Sequence, residues 1–139
     1  MNKSKVAIIH HPDIEKSLEA ALSYLNLSDL FTDKHVAIKP HDACAHPDEI
    51  SACTQADTLR ALIGLIKRHK PYRITVAGGS NNILETNHVF ELLGIHDVIS
   101  EEKVEYIDLN RGPFKRTKLN WGPAEEIVIN NDRNRRRNL

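Results

Sequence analysis

Lys39, Thr54 and the run Gly78-Gly79-Ser80-Asn81 are the residues whose types and spacing best suit the capture of a small anionic molecule. Glycines let a backbone come close to a ligand, and the free N–H groups at a helix start attract negative charge. The run follows the strand-like stretch from Arg73 to Ala77 and precedes a helical pattern from Ile83 to Leu93. It therefore falls where a strand hands over to a helix, the edge at which open α/β sheets take their ligands. Ser80 and Asn81 add a hydroxyl and an amide. Lys39, at the end of a second strand-like stretch, adds a cation suited to phosphate or carboxylate, and Arg111, beyond a further strand, could join it. The competing reading is plainer: Ser80 or Asn81 caps the next helix in a tight turn, and Lys39 simply leaves the sheet for solvent. The run is neither a Gly-x-Gly-x-x-Gly nor a Walker loop, so it does not announce a dinucleotide or ATP site.

A second set of ligating atoms lies in one polar loop: His41, Cys44, His46 and Cys53, with Asp42 and Asp48 beside them. Imidazole and thiolate suit zinc or iron, so a metal-binding enzyme or redox-linked protein is the alternative reading. The spacing His-x-x-Cys-x-His-x6-Cys fits no common zinc pattern, and unrelated His and Cys in a polar loop would look the same. His10 and His11 could add ligands from the same edge. Cys53, just ahead of a helical pattern, is placed where a helix start lowers a thiol pKa, but no Cys-His-Asn signature accompanies it. Asp108, Glu85 and Glu91 stand as single carboxylates, and no acid–base pair emerges. Whether the chain is an enzyme is left open by these residues.

The elements that must position these groups alternate. Lys5 to His10, His35 to Lys39, Arg73 to Ala77 and Val104 to Leu109 are short apolar runs of the kind buried in parallel sheets. Helical spacing appears between them. Ile14, Leu18, Ala21, Leu22 and Leu25 share one face behind a capping Asp13, and Leu59, Leu62, Ile63 and Ile66 share one behind Thr54. A third helical segment ends at Gly94. This order predicts a three-layer αβα, Rossmann-like α/β fold with a mostly parallel central sheet. Glu126 to Asn130 is a further strand, and an exposed edge at Ile127-Val128-Ile129 would suit a non-catalytic homodimeric interaction domain.

Three of these stretches together resemble the domain-of-unknown-function 362 family. They are Val36-Ala37-Ile38-Lys39-Pro40, the Thr54-led helix Gln55-Ala-Asp-Thr-Leu-Arg-Ala-Leu-Ile, and Thr75-Val-Ala-Gly-Gly-Ser80 with its following Leu93-Gly94-Ile95. The resemblance runs from residue 3 to residue 111 and departs at His41, where the family commonly has Asn, and at Gly79, where it often has Asp. It implies a fold and a site location rather than a reaction. Many members carry ferredoxin-type iron–sulfur modules; no Cys-x-x-Cys-x-x-Cys run exists here. The family fold is larger, so the resemblance implies its first half or a shortened paralogue.

Composition narrows the classes. With 139 residues, 40% of them hydrophobic and 27% charged, the chain can bury a core without disulfide or metal support. The pattern predicts one domain over 1–130 and a polar, basic, disordered tail over 131–139. Formal net charge is zero, so no global field draws in nucleic acid or anionic lipid. The arginines from Arg133 to Arg137 have no aromatic among them, so nucleic acid is not an expected partner. No apolar stretch approaches the roughly 20 residues of a membrane span. The N-terminal apolar run is too short for a secretion signal, so the expected location is the cytoplasm.

Overall fold

The computed structural model describes residues 5–43, 45–81, 84–118 and 126–130. Its centre is a three-stranded parallel sheet of β1 (His35–Ile38), β2 (Arg73–Gly78) and β3 (Glu105–Asp108), in the order β1-β2-β3. β2 is flanked on both sides, and its residues from Ile74 to Gly78 are all buried, as its Ile-Thr-Val-Ala composition requires. The register sets Val36 beside Ile74, Ile38 beside Val76, and Val76 beside Tyr106. Because side chains alternate along a strand, these residues share one face.

That face carries the core. Among the described residues, α1 (Ile14–Leu22) and α2 (Leu27–Phe31) precede β1, α3 (Ala56–Arg68) connects β1 to β2, and α4 (Thr86–Leu92) and α5 (Ile95–Glu101) connect β2 to β3. Leu59, Ile63 and Ile66 of α3, Val89 and Phe90 of α4, and Ile95 and Val98 of α5 cluster with Ile38, Ile74 and Val76. At about 25 cal/mol per Å² removed from water, each such side chain contributes roughly 1.5–3 kcal/mol. The opposite face carries His35, Arg73, Thr75 and Glu105. There the His35 ring nitrogen Nε2 lies 2.9 Å from the Thr75 hydroxyl, and Arg73 lies 3.3 Å from Glu105.

Several elements differ from the sequence expectation. Lys5 to His10 joins neither sheet, and Val6 and Ile8 are 83% and 90% exposed. An apolar run becomes a strand only where a neighbour pairs with its backbone, and the sheet begins at β1 instead. Asp13 caps α1 as expected, accepting from Lys16 N at 3.2 Å, but α1 stops at Leu22. Asn26 opens a separate helix, α2, by accepting from Asp29 N at 3.3 Å. The third helical segment is α4, which ends before Gly94 as expected, and a further helix, α5, follows that the sequence pattern did not predict. Gly94, at φ 66°, turns the chain between α4 and α5, a left-handed conformation that glycine adopts cheaply.

Glu126–Asn130 is a strand, β5, and it pairs antiparallel with β4 (Phe114–Lys118) in a separate two-stranded sheet. The run of Lys115, Arg116 and Lys118 hid β4 because it shows no apolar alternation. Trp121, Cys44, Asn82 and the tail over 131–139 lie outside the described residues. Among the described residues no helix is long and apolar enough to cross a membrane.

Candidate functional site

Three parallel strands in register end at one edge. Lys39 follows β1, Gly79 to Asn81 follow β2, and Leu109 to Arg111 follow β3. Leu109 N donates to Gly78 O at 2.7 Å, which carries the β2–β3 pairing past the last ladder residue. The groups that the sequence placed at this edge are therefore together, but they do different things.

The residue at the centre of one half is Asp42, which the sequence reading named only as a neighbour of the polar loop. Its side chain is 1% exposed. One carboxylate oxygen accepts from Gly79 N at 2.7 Å; the other accepts from the Lys39 ammonium, which also donates to Pro40 O at 2.7 Å. A buried carboxylate needs such partners, because burial without them costs several kcal/mol. Lys39 is thus engaged with Asp42, and Asp42 holds the backbone at Gly79.

Thr54 does not cap α3. That position belongs to Gln55, which makes no side-chain cap bond. Thr54 instead clips the loop closed: its Oγ1 accepts from His41 N at 2.8 Å and its own N donates to His41 O at 2.9 Å. Gly78 faces the helices. A Cβ there would lie 2.6 Å from both Phe90 Cζ and Thr86 Cγ2, so glycine is needed for α4 to pack. A Cβ on Gly79 would meet the Leu109 side chain at 3.3 Å, a milder contact.

The other half of the edge is a polar network. Thr86 donates its hydroxyl to Asp108 Oδ1 at 3.0 Å, Asn110 N donates to the same oxygen at 2.9 Å, and Asn110 Nδ2 donates to Ser80 O at 2.8 Å. Asn81 holds the turn, its Oδ1 accepting from Leu84 N at 3.3 Å while its N donates to Ala43 O at 3.2 Å. Neither Ser80 nor Asn81 caps a helix, since α4 begins at Thr86 behind Glu85. Arg111 pairs with Glu85 and lies 3.6 Å from Asp108 Oδ2. The Glu85 carboxylate pushes the Arg111 pKa further up. Tyr106, largely through burial and secondarily through the nearby Asp108 charge, has its pKa raised to about 12.

At this half of the edge lies an open cavity of about 350 Å³ lined by Asn81, Leu84, Glu85, Thr86, Asn110 and Arg111. Two residues hydrogen-bonded to that lining carry buried oxygens with no hydrogen-bond partner among the described residues: Ser80 Oγ, and Asp108 Oδ2, which has the Arg111 guanidinium at 3.6 Å. Buried polar atoms are nearly always satisfied, so these two exceptions near one cavity mark a place where further partners are accommodated. Asp108, Thr86 and Asn110 were not assigned to the site from sequence. Their signal was the Asp-x-Asn at a strand end, which is too short to stand out.

The polar loop is arranged differently. Cys53 is 6% exposed and packs within the hydrophobic cluster, while the His46 ring accepts from Asp48 N at 3.3 Å and faces solvent. His41 is exposed, and Cys44 lies outside the described residues. Among the described residues no three His, Cys, Asp or Glu side chains gather as metal ligands would.

No curated protein and no solved structure matches the chain. One family model does, over residues 36–132, which takes in all three parallel strands, Asp42 and the whole of the cavity lining. The chain belongs to the family described as Domain of unknown function (DUF362).

Proposed function

We propose that this single-domain α/β protein binds a small polar ligand bearing an anionic group at the C-terminal edge of its parallel sheet. The observation that carries the reading is the 350 Å³ cavity at that edge, whose lining is hydrogen-bonded to Asp108 and Ser80, each with a buried oxygen that has no hydrogen-bond partner among the described residues. Its volume falls within the range of small-molecule sites. Arg111 is the cation for the anionic group. Its pairing with Glu85 is between side chains 63% and 67% exposed, and exposed ion pairs cost little to exchange. Asn81, Asn110 and Ser80 supply amide and hydroxyl partners. Lys39, Thr54, Gly78 and Gly79 form the frame, with Lys39 acting through Asp42. The burial of Thr75 and Ala77, on the sheet face away from the core cluster, supports a covering layer there. Such a layer would complete the three-layer, Rossmann-like arrangement.

A thermal-shift panel of inorganic phosphate, citrate, malate, zinc and ferrous iron tests the reading. A ligand at about 100 times its Kd adds roughly 2.7 kcal/mol to stability, which raises Tm by several degrees in a domain of this size. A shift with a carboxylate or phosphate that is lost in Arg111→Ala is the expected result. A shift that survives Arg111→Ala, or none with any anion, refutes it. A shift confined to zinc or iron would move the assignment to His41, Cys44, His46 and Cys53.

A second reading, association of two copies through the β4–β5 ribbon, is favoured by the exposure of Phe114 (53%) and Val128 (60%). A two-stranded ribbon alone is marginally stable. A monomer by light scattering at high concentration would reject this reading.

A further inference from the structure

At the opposite edge of the sheet, where β2 and β3 begin, a second cavity of about 420 Å³ is lined by Lys67, Lys70, Tyr72, Arg73, Lys103 and Glu105, among others. Four cations and one carboxylate face the same space. Glu105 is matched by Arg73 at 3.3 Å. Lys67 is also accounted for: it donates to Glu102 O and to Glu102 Oε2, each at 2.6 Å, and so satisfies the end of α5. Lys70 and Lys103 have no acidic partner among the described residues.

The backbone at these two lysines is informative. Lys70 and Lys103 sit just past the ends of α3 and α5 with φ of 52° and 50°. That left-handed position is usually filled by glycine or asparagine, and a side chain with a Cβ costs roughly 1–2 kcal/mol there. Cations near helix ends do oppose the helix dipole, but Lys67 and Arg68 already occupy the last turn of α3. The chain thus carries a lysine at both turns where glycine would be cheaper, on two walls of one cavity. Tyr72, 60% exposed, lines the same cavity, with the Arg73 guanidinium 5.7 Å from its ring centre.

We infer that this N-terminal edge is a second binding site, for a small aromatic phosphate ester of mononucleotide size. Lys70 and Lys103 take the phosphate, as ammonium groups do, and Tyr72 with Arg73 takes the ring by stacking. The site is independent of the cavity at Arg111, which lies at the other end of the strands.

Glycine at the two turns separates function from structure. Lys70→Gly and Lys103→Gly remove the charge while relieving the left-handed backbone, so both variants keep or gain stability. Adenosine monophosphate titrated into the full chain, followed by amide NMR, is expected to shift the resonances of Lys70, Tyr72, Lys103 and Glu105. The double glycine variant is expected to weaken that binding at least tenfold with Tm not lowered, Tyr72→Ala to weaken it severalfold, and Arg111→Ala to leave it unchanged. Binding at least tenfold weaker for adenosine and for inorganic phosphate alone completes the expected pattern. Absence of shifts at this edge, binding unaltered in the double glycine variant, or adenosine binding as tightly as its monophosphate would each overturn the assignment.

Discussion

Replacing Gly78 by alanine tests the claim that this glycine serves the packing of α4 rather than the approach of a ligand. The added Cβ would lie 2.6 Å from Phe90 Cζ, 2.6 Å from Thr86 Cγ2 and 2.9 Å from Phe90 Cε1. Neither neighbour can swing away: Phe90 is 0% and Thr86 1% exposed, and Thr86 is tied to Asp108 at 3.0 Å. Overpacking of this kind costs about 1–3 kcal/mol, and three short contacts place it at the upper end. The unfolded chain of the variant has less freedom to lose, which returns about 0.4–1 kcal/mol. The net loss is about 2 kcal/mol. In a domain of this size each kcal/mol moves Tm by roughly 3–5 °C, so urea and thermal unfolding should show a fall of about 6–10 °C. Gly79→Ala is the control, since the nearest atom to its Cβ is in the Leu109 side chain at 3.3 Å; it should stay within about 0.5 kcal/mol of the parent, as substitutions without a severe clash do. Trimming the ring should also relieve the clash, so Gly78→Ala with Phe90→Leu should lose less than the sum of the two single losses. A Gly78→Ala variant as stable as the parent would refute the packing argument and return Gly78 to the ligand.

Asp42→Ala should cost about 1–3 kcal/mol in urea unfolding, the usual penalty for stranding a donor away from water, here the partly buried Gly79 N; a loss below 0.5 kcal/mol would show that the Gly79 amide finds another partner. Gly64→Ala should stabilise by about 0.5–1 kcal/mol, because nothing lies within 4 Å of the added Cβ in the interior of α3; a lower Tm would contradict it. At high pH the folded state holds the Tyr106 proton up to about 12, against an ordinary value of 10.0. That contribution to stability is complete below pH 10 and is lost as the pH rises towards 12. Urea midpoints should therefore decline more steeply over that window in the parent than in Tyr106→Phe, and parallel declines would show that Tyr106 is not the group responsible.

The sequence alone carried the α/β class, the three strands that pair, the cap at Asp13 and the gathering of Lys39, Gly79, Ser80, Asn81 and Arg111 at one edge. Those are consequences of local apolar periodicity, of turn chemistry and of the rule that parallel strands end together. It also carried the family. What it could not carry was partnership. Whether Lys5 to His10 pairs as a strand depends on a neighbour that no local pattern names, and Arg116 becomes a strand residue only because Val128 stands opposite it. The engagement of Lys39 with Asp42, and through it with Gly79, joins residues 37 positions apart at the far end. Side chains that look alike in sequence, such as Lys39 and Lys70, were set apart by the fold: one is spent on a buried carboxylate, and the other faces a cavity with no acidic partner among the described residues. Charge is written in the sequence, but its availability is set by burial and by which opposite charge the chain brings within reach.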